Sequence, residues 1–398
     1  MAKFKYEAKD SSGKSLSGIL ETASKELAID ILHKKGLMIL SISQEKERSG
    51  RKKGVKLDDL VIFSRQFSTM VDSGISVVQA MSILAEQSDN KVLSSTTQEI
   101  RRDIESGSSL CDALAKHPKI FSELYMNMVK AGEASGKLDE ILDRLAAYLE
   151  KTNSIQRKIR SSLVYPAVVI TLAVAITLIL LIKVVPIFKN IFDTLGGTLP
   201  LPTQILIMVS DALRKNFLMV FIVFVIIIFL IKKYISTPRG RYQFDKRLLS
   251  LPVFGPLVRN IAVAKFTRTL ATLVKSGVPI LNALAIVGKT SGNKIIEENV
   301  TNATVSIKEG EPISGPLSKG GIFPPMVVRM IAVGEQTGQL EKMLNKIADF
   351  YEEQVDAAVS GLVSMIEPLV IAFLGIVIGS IVVALFLPIF KITELLGR

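Results

Sequence analysis

FSRQFSTMVDSGISVVQAMSI, residues 63–83, and FTRTLATLVKSGVPILNALAI, residues 266–286, are two copies of one sequence. Phe, Arg, Thr, Val, Ser-Gly, Ala and Ile recur from Phe63 to Phe266 at an offset of 203. Working outward, Gly132-Glu133-Ala134-Ser135-Gly136-Lys137-Leu138 answers Gly334-Glu335-Gln336-Thr337-Gly338-Gln339-Leu340 at an offset of 202. Pro166 answers Pro368, and Val185-Pro186-Ile187-Phe188 answers Leu387-Pro388-Ile389-Phe390 in the same register. A register held with one deletion over this distance is an internal duplication.

Within each copy the apolar period is helical. Leu60, Phe63, Phe67, Met70 and Val71 fall three or four apart, as do Leu138, Ile141, Leu142, Leu145 and Leu149. Breaks at Ser73-Gly74, Asp89-Asn90, Ser106-Gly107, His117-Pro118 and Gly132 to Gly136 divide a copy into roughly six helices. Residues 1–43 alternate differently, with Phe4, Tyr6 and Ala8 on one face, a Ser12-Gly13 turn and a short helix from Ser24 to Lys35. They predict a small α+β appendage, joined by a charged linker over 44–56.

Each copy runs into an apolar segment. Residues 163–182 carry no formal charge, and about 20 helical residues cross a hydrocarbon core of about 30 Å. Residues 217–231 are shorter, but Lys215, Lys232 and Lys233 can snorkel from either end. Residues 362–387 form the third span, interrupted by Glu367, Ser364 and Ser380. The expectation is an all-α membrane protein with two duplicated cytoplasmic modules, 57–160 and 234–360, and three transmembrane helices. A short extracytoplasmic loop over 183–216 and an extracytoplasmic tail over 388–398 complete it. Arg157, Lys158 and Arg160 before the first span favour a cytoplasmic N-terminus, while Lys183, Lys189, Arg214 and Lys215 count against it. Met1 to Tyr6 lead into polar sequence, so no cleavable signal peptide is expected.

Chemistry has no visible carrier. One cysteine, Cys111, excludes an intramolecular disulfide or a multi-cysteine metal site, and His33 and His117 lack ligand spacing. The net charge of +12 is not accompanied by basic runs interleaved with aromatics; 6% aromatic residues and no Trp argue against nucleic acid. With 48% hydrophobic residues and a mean hydropathy of +0.39, the charge fits a membrane surface better. Ala283 to Thr290, ALAIVGKT, satisfies a loose phosphate-loop pattern. However, the segment has an amphipathic helical pattern and its counterpart carries Glu86 in place of Lys289. No catalytic residue, cofactor or metal is expected.

The candidate contact residues are those present in both copies, Glu133 with Glu335 and Arg65 with Arg268. Gly132 to Leu138 reads most simply as a helix stop followed by a Ser-capped start. In the membrane the candidates are Gly375, Gly379 and Ser380, a small-residue face, then Glu367, in a first helical turn set by Pro368, and the matched Pro166 and Pro368.

Phe4-x-Tyr6-x-Ala8 with Gly13 and Gly18, Phe63-x-x-Gln66, Ser73-Gly74, Gly132-Glu133-x-Ser135-Gly136-x-Leu138 and Tyr165-Pro166, with the matching second set, resemble the type II secretion protein F family over nearly the whole chain. These are the inner-membrane platform proteins of type IV pilus, secretion and competence machines. The resemblance implies a homo-oligomeric bacterial inner-membrane platform that docks a hexameric cytoplasmic assembly ATPase. It would work with other inner-membrane assembly components and pass pilin or pseudopilin subunits from the lipid bilayer to a fibre. Gln66 becomes Thr269 and Lys137 becomes Gln339 in the second copy, so the two modules need not share a partner. A transporter is one alternative, because internal repeats occur there too, and an ATP-using enzyme is another, whose only support is the Lys289 pattern.

Overall fold

The structure is a computed structural model that describes residues 2–9, 15–22, 24–44, 54–195 and 199–396. Two compact units are present, one of Met1–Val55 with Ser88–Ser95 and one of Lys56–Gln87 with Thr96–Arg398. In the first, β1 (Ala2–Lys9) lies between β2 (Ser15–Thr22) and β3 (Met38–Gln44), antiparallel to both, with α1 (Lys25–Lys34) between β2 and β3 in sequence. The period-2 pattern buries Phe4 and Ala8 with Ala28 and Leu32 of α1. Ser24 caps α1 by accepting from the Leu27 amide. Strand β3 takes in Gln44; the Ser12-Gly13 turn and positions 45–53 of the linker lie outside the described residues.

The first repeat folds as six helices, α2 (Leu57–Asp72), α3 (Val77–Gln87), α4 (Lys91–Glu105), α5 (Leu110–Ala115), α6 (Glu123–Ser135) and α7 (Leu138–Ser162). A segment that passes through the apolar stretch follows: α8 (Val164–Ile179), a π turn (Leu180–Val184), α9 (Val185–Leu195) and α10 (Leu201–Ile235). After α11 (Pro238–Ser250) the second repeat has the same six, α12 (Phe254–Lys275), α13 (Ile280–Thr290), α14 (Lys294–Lys308), α15 (Ser314–Lys319), α16 (Pro325–Gln336) and α17 (Leu340–Leu396). Three helical segments are long and apolar enough to cross a membrane. The fold class expected from the sequence is therefore the one observed.

Three expectations are corrected. Residues 183–216 are not a loop: α9 and the first half of α10 make a helical hairpin, because their apolar residues have a partner. Val185 and Ile207 form a buried cluster with Ile381 and Leu385 of α17, and the Thr203 hydroxyl donates to the Ala384 carbonyl. Lys189 Nζ pairs with Asp211 Oδ2 at 2.7 Å across the hairpin. Second, Glu367 and Pro368 do not open a helix. Leu340–Leu396 is one helix of 57 residues that takes Pro368 in its interior, forgoing the bond its missing N–H cannot donate. Third, Ser135 does not cap α7. It ends α6, and its hydroxyl donates to the Ala131 carbonyl at 2.8 Å.

Repeat-matched helices α7 and α17 carry each module into the membrane. Leu163, the one residue between α7 and α8, stays in the right-handed helical region, and α17 has no break at all. In contrast, α10 kinks at Asn216 (φ −115, ψ 20), and beyond the kink Phe217 to Ile231 are all exposed. Such a helix suits lipid, where its backbone bonds are internal and its side chains match the solvent.

Candidate functional site

The sequence motif shared by the copies builds a corner between two helices. Gly136 (φ +69) and Gly338 (φ +68) adopt the left-handed conformation that ends α6 and α16, and the Lys137 amide closes the first turn onto the Gly132 carbonyl at 3.1 Å. Gly132 and Gly334 sit where a Cβ would come within 3.2 Å and 2.9 Å of the Cα of Leu138 and Leu340, so only glycine lets the two helices approach this closely. The glutamates reach back to an earlier helix. Glu133 accepts from the Leu110 and Cys111 amides at 2.7 and 3.1 Å, and Glu335 accepts from the Ile313 amide at 2.9 and 3.0 Å. Those amides stand at the starts of the six-residue helices α5 and α15, where first-turn N–H groups have no intrahelical acceptor; in α5 the Ser109 hydroxyl accepts from the next amide, Asp112. Burial and the Glu133 carboxylate push the Cys111 thiol up, away from the thiolate that a nucleophile needs.

A charge-assisted hydrogen bond contributes about 1.5–3 kcal/mol. Glu335→Ala is expected to speed amide exchange at the start of α15 by about tenfold or more, while Glu335→Gln, which keeps an acceptor, loses less. Hydrogen exchange of the purified protein checks it, and unchanged protection of Ile313 in the alanine variant would refute the capping role.

The arginines clamp the long helices. Arg65 of α2 reaches Glu150 at 2.6 Å and Asp143 at 2.6 Å on α7. Arg268 of α12 reaches Glu352 at 2.9 Å, Asp349 at 2.5 Å and Asn345 at 3.1 Å on α17. The Arg–Glu pair of each fan is repeat-equivalent, whereas Asp143 answers Asn345 and Asp349 answers Ala147. The second fan is more enclosed: side-chain exposure is 37% at Arg65, 18% at Arg268 and 7% at Glu352. Sequence reading identified the arginines and missed their acids, although Glu150 and Glu352 hold the same 202 offset and that was the available signal.

The modules meet through non-equivalent faces. From α7, Tyr148 shares a 3.0 Å hydrogen bond with Thr269, Arg144 donates to the Lys275 carbonyl, and Lys151 pairs with Glu352 at 2.9 Å. Lys158 pairs with Asp356, and Lys289 of α13 pairs with Glu123 of α6 at 3.0 Å. The lysine of the phosphate-loop-like segment thus stands on a helix, in an ion pair between modules. The counterparts of this seam are unmatched: Phe350, at the position of Tyr148, and Gln66, at that of Thr269, are both exposed. Unlike faces in contact make a heterologous pairing rather than a two-fold one.

In the third span the candidates separate. Gly375, Gly379 and Ser380 are exposed, and a Cβ at either glycine would meet nothing within 4 Å. The face of Gly375 and Gly379 continues toward the module as Ala372, Pro368, Ser364 and Gly361, all exposed at helical spacing, a stripe whose full length sequence reading missed. Ser380 stands about 100° round the helix from Gly379 and is not part of it. The buried intramolecular contact of this span is made elsewhere, by Ile381, Ala384 and Leu385 with Val377 partly buried beside them. Glu367 is exposed beside the stripe, and Pro166 is buried near the start of α8. Among the described residues, no group of three or more His, Cys, Asp or Glu is placed to hold a metal.

Comparison with known proteins bears on this architecture directly. Residues 63–186 and 266–388 each match the family model of Type II secretion system (T2SS), protein F, and residues 1–43 match that of its N-terminal domain. Over 98% of its length the chain is 43% identical to the Type IV pilus assembly protein PilC of Myxococcus xanthus, covering 95% of that protein. It is 44% identical to the protein of the same name from Thermus thermophilus, over 98% of both chains. Against the Type II secretion system protein F of Vibrio cholerae it is 31% identical over the full length of both.

Proposed function

This chain belongs to the Type II secretion system protein F family, and on that premise we propose that it is the inner-membrane platform of a type IV pilus or type II secretion-type machine, a structural component without catalysis of its own. Its N-terminus and both modules stand in the cytoplasm. There they take up the motion of a hexameric assembly ATPase, while the spans present pilin or pseudopilin subunits to the fibre and contact other membrane components. The observation that carries this reading is the continuity of α7 and α17 from module into membrane, each clamped by a guanidinium fan. A helix without a break transmits displacement as a rigid body, whereas a looped connection would absorb it. The unlike free faces at Phe350 and Gln66 fit a homo-oligomer built head to tail, or two partners at the two modules.

The first test is capture of the assembly ATPase encoded with this protein by the full-length chain in nanodiscs. Specific capture, weakened by charge reversal on an exposed module face, is expected. No capture under any nucleotide condition would overturn the coupling.

A further inference from the structure

We propose that α11 lies flat on the module-side surface of the bilayer and binds anionic phospholipid headgroups through Arg239, Lys246 and Arg247. The helix is tied to the membrane at both ends. At its start only Ser236 and Thr237 separate it from α10, and the turn is tight: Thr237 caps α11 by accepting from the Gly240 amide, and Tyr234 donates its hydroxyl to Gln243 at 2.8 Å. A Cβ at residue 240 would stand 2.0 Å from the Tyr234 carbonyl oxygen, so Gly240 holds α11 hard against the end of the span.

The other end is placed by α12, which leaves α11 at a bend of 111° and packs along α17 with opposite direction. Lys275 pairs with Glu341, whereas Arg268 pairs with Asp349 and Glu352, so moving back along α12 means moving forward along α17 toward the membrane. Another four turns, about 21 Å, bring Phe254 level with the opening residues of the apolar stretch 362–387. There Leu251, Val253 and Phe254 are exposed. A helix whose two ends both lie at the interface runs along it.

The faces of α11 are then assigned by what covers them. One is turned to the module: Gly240 and Asp245 are buried, Asp245 accepts from the Lys294 amide at 2.8 Å, and Arg241 donates to the Gly292 carbonyl. The opposite face carries Arg239, Tyr242, Gln243, Lys246 and Arg247 at spacings of three and four, all exposed. Residues 232–250 contain six cations and one acid. Among the described residues, Lys232, Lys233, Arg239, Lys246 and Arg247 form no ion pair with the protein. Such a charge density rules α11 out as part of a crossing. Clustered cations beside a span, with an amphipathic Tyr among them, match the chemistry of an anionic leaflet.

The test uses the full-length protein, delipidated in mild detergent and titrated with phosphatidylglycerol, cardiolipin or phosphatidylcholine, with bound lipid counted by native mass spectrometry. Wild type is expected to retain the anionic lipids over phosphatidylcholine. Arg239→Gln/Lys246→Gln/Arg247→Gln lowers that retention by about tenfold or more at an unchanged melting temperature. Arg329→Gln/Lys342→Gln/Lys346→Gln, three exposed cations at the far end of the second module, leaves it intact. Arg239→Lys/Arg247→Lys keeps the charge and the lipid, which separates loss of binding from loss of fold. Equal retention by the glutamine variant would overturn the proposal and assign these cations to an acidic protein partner. Displacement of the lipid by inorganic phosphate would overturn it in favour of a free-anion site.

Discussion

Arg268→Met is expected to destabilise the purified protein by about 3–5 kcal/mol, and Arg65→Met by about 1 kcal/mol, although the two arginines are equivalent in the repeat. The difference follows from enclosure. Glu352 is 7% exposed and lies at the seam, where Arg268 holds one oxygen and Lys151 the other. The Lys151 ammonium is an ion pair without an aligned hydrogen bond to that oxygen, so it shares the charge while the guanidinium is the partner that donates a hydrogen bond to the buried carboxylate. Its removal leaves a carboxylate short of a donor in a poorly solvated place, and that desolvation term dominates. At Arg65 the acids Glu150 and Asp143 are 42% and 65% exposed, so water takes over what the guanidinium gave. Denaturation in mild detergent, followed by helical circular dichroism, measures both losses. A second change, Glu352→Leu in the Arg268→Met background, is expected to recover part of the loss, because an apolar pair of similar bulk removes the stranded charge. Equal losses at the two arginines would show that enclosure at the seam is not what sets the scale.

That comparison also shows what the sequence could and could not disclose. The duplication, the helical period and the long apolar stretches were legible, because each depends on residue type at a spacing that any environment would enforce. The role of Glu133 and Glu335 was not, since their partners are backbone amides of Leu110, Cys111 and Ile313, which carry no side-chain signature. Only recurrence in both copies marked them. The hairpin over 183–216 escaped for a different reason: Lys189, Asp211, Arg214 and Lys215 dilute its hydropathy, and its apolar residues find partners nearly two hundred positions away on α17. The seam between modules was written only as a difference between the copies. Gln66 stays in solvent, whereas Thr269, at the matching position, is small enough to be buried under Tyr148.

Gly375→Leu/Gly379→Leu is expected to reduce fibre assembly to below about a tenth of wild type while the protein still folds, inserts and captures the assembly ATPase. The separation of these outcomes is physical. Lipid tails are as apolar as leucine, so enlarging a lipid-facing surface costs little, and replacing glycine inside a helix adds about 1 kcal/mol of helix propensity per site. Among the described residues a Cβ at either glycine would meet nothing within 4 Å, and the buried intramolecular contact of this span lies at Ile381, Ala384 and Leu385, with Val377 partly buried against it. Close helix approach in a membrane depends on small residues because dispersion contacts and weak backbone hydrogen bonds fall away steeply with distance. On the role proposed above, two leucine side chains on the stripe would hold an incoming apolar helix of a pilin-type subunit several ångströms off, and the proposed handover would fail without any fault in the fold of this chain. Val382→Leu/Val383→Leu, on exposed positions that are already large, is the matched control and is expected to assemble fibres normally. Counting fibres by electron microscopy in cells that express each variant at equal level decides the matter. Normal fibres in the glycine variant would remove the stripe from the handover and move the search to the exposed second span, 217–231.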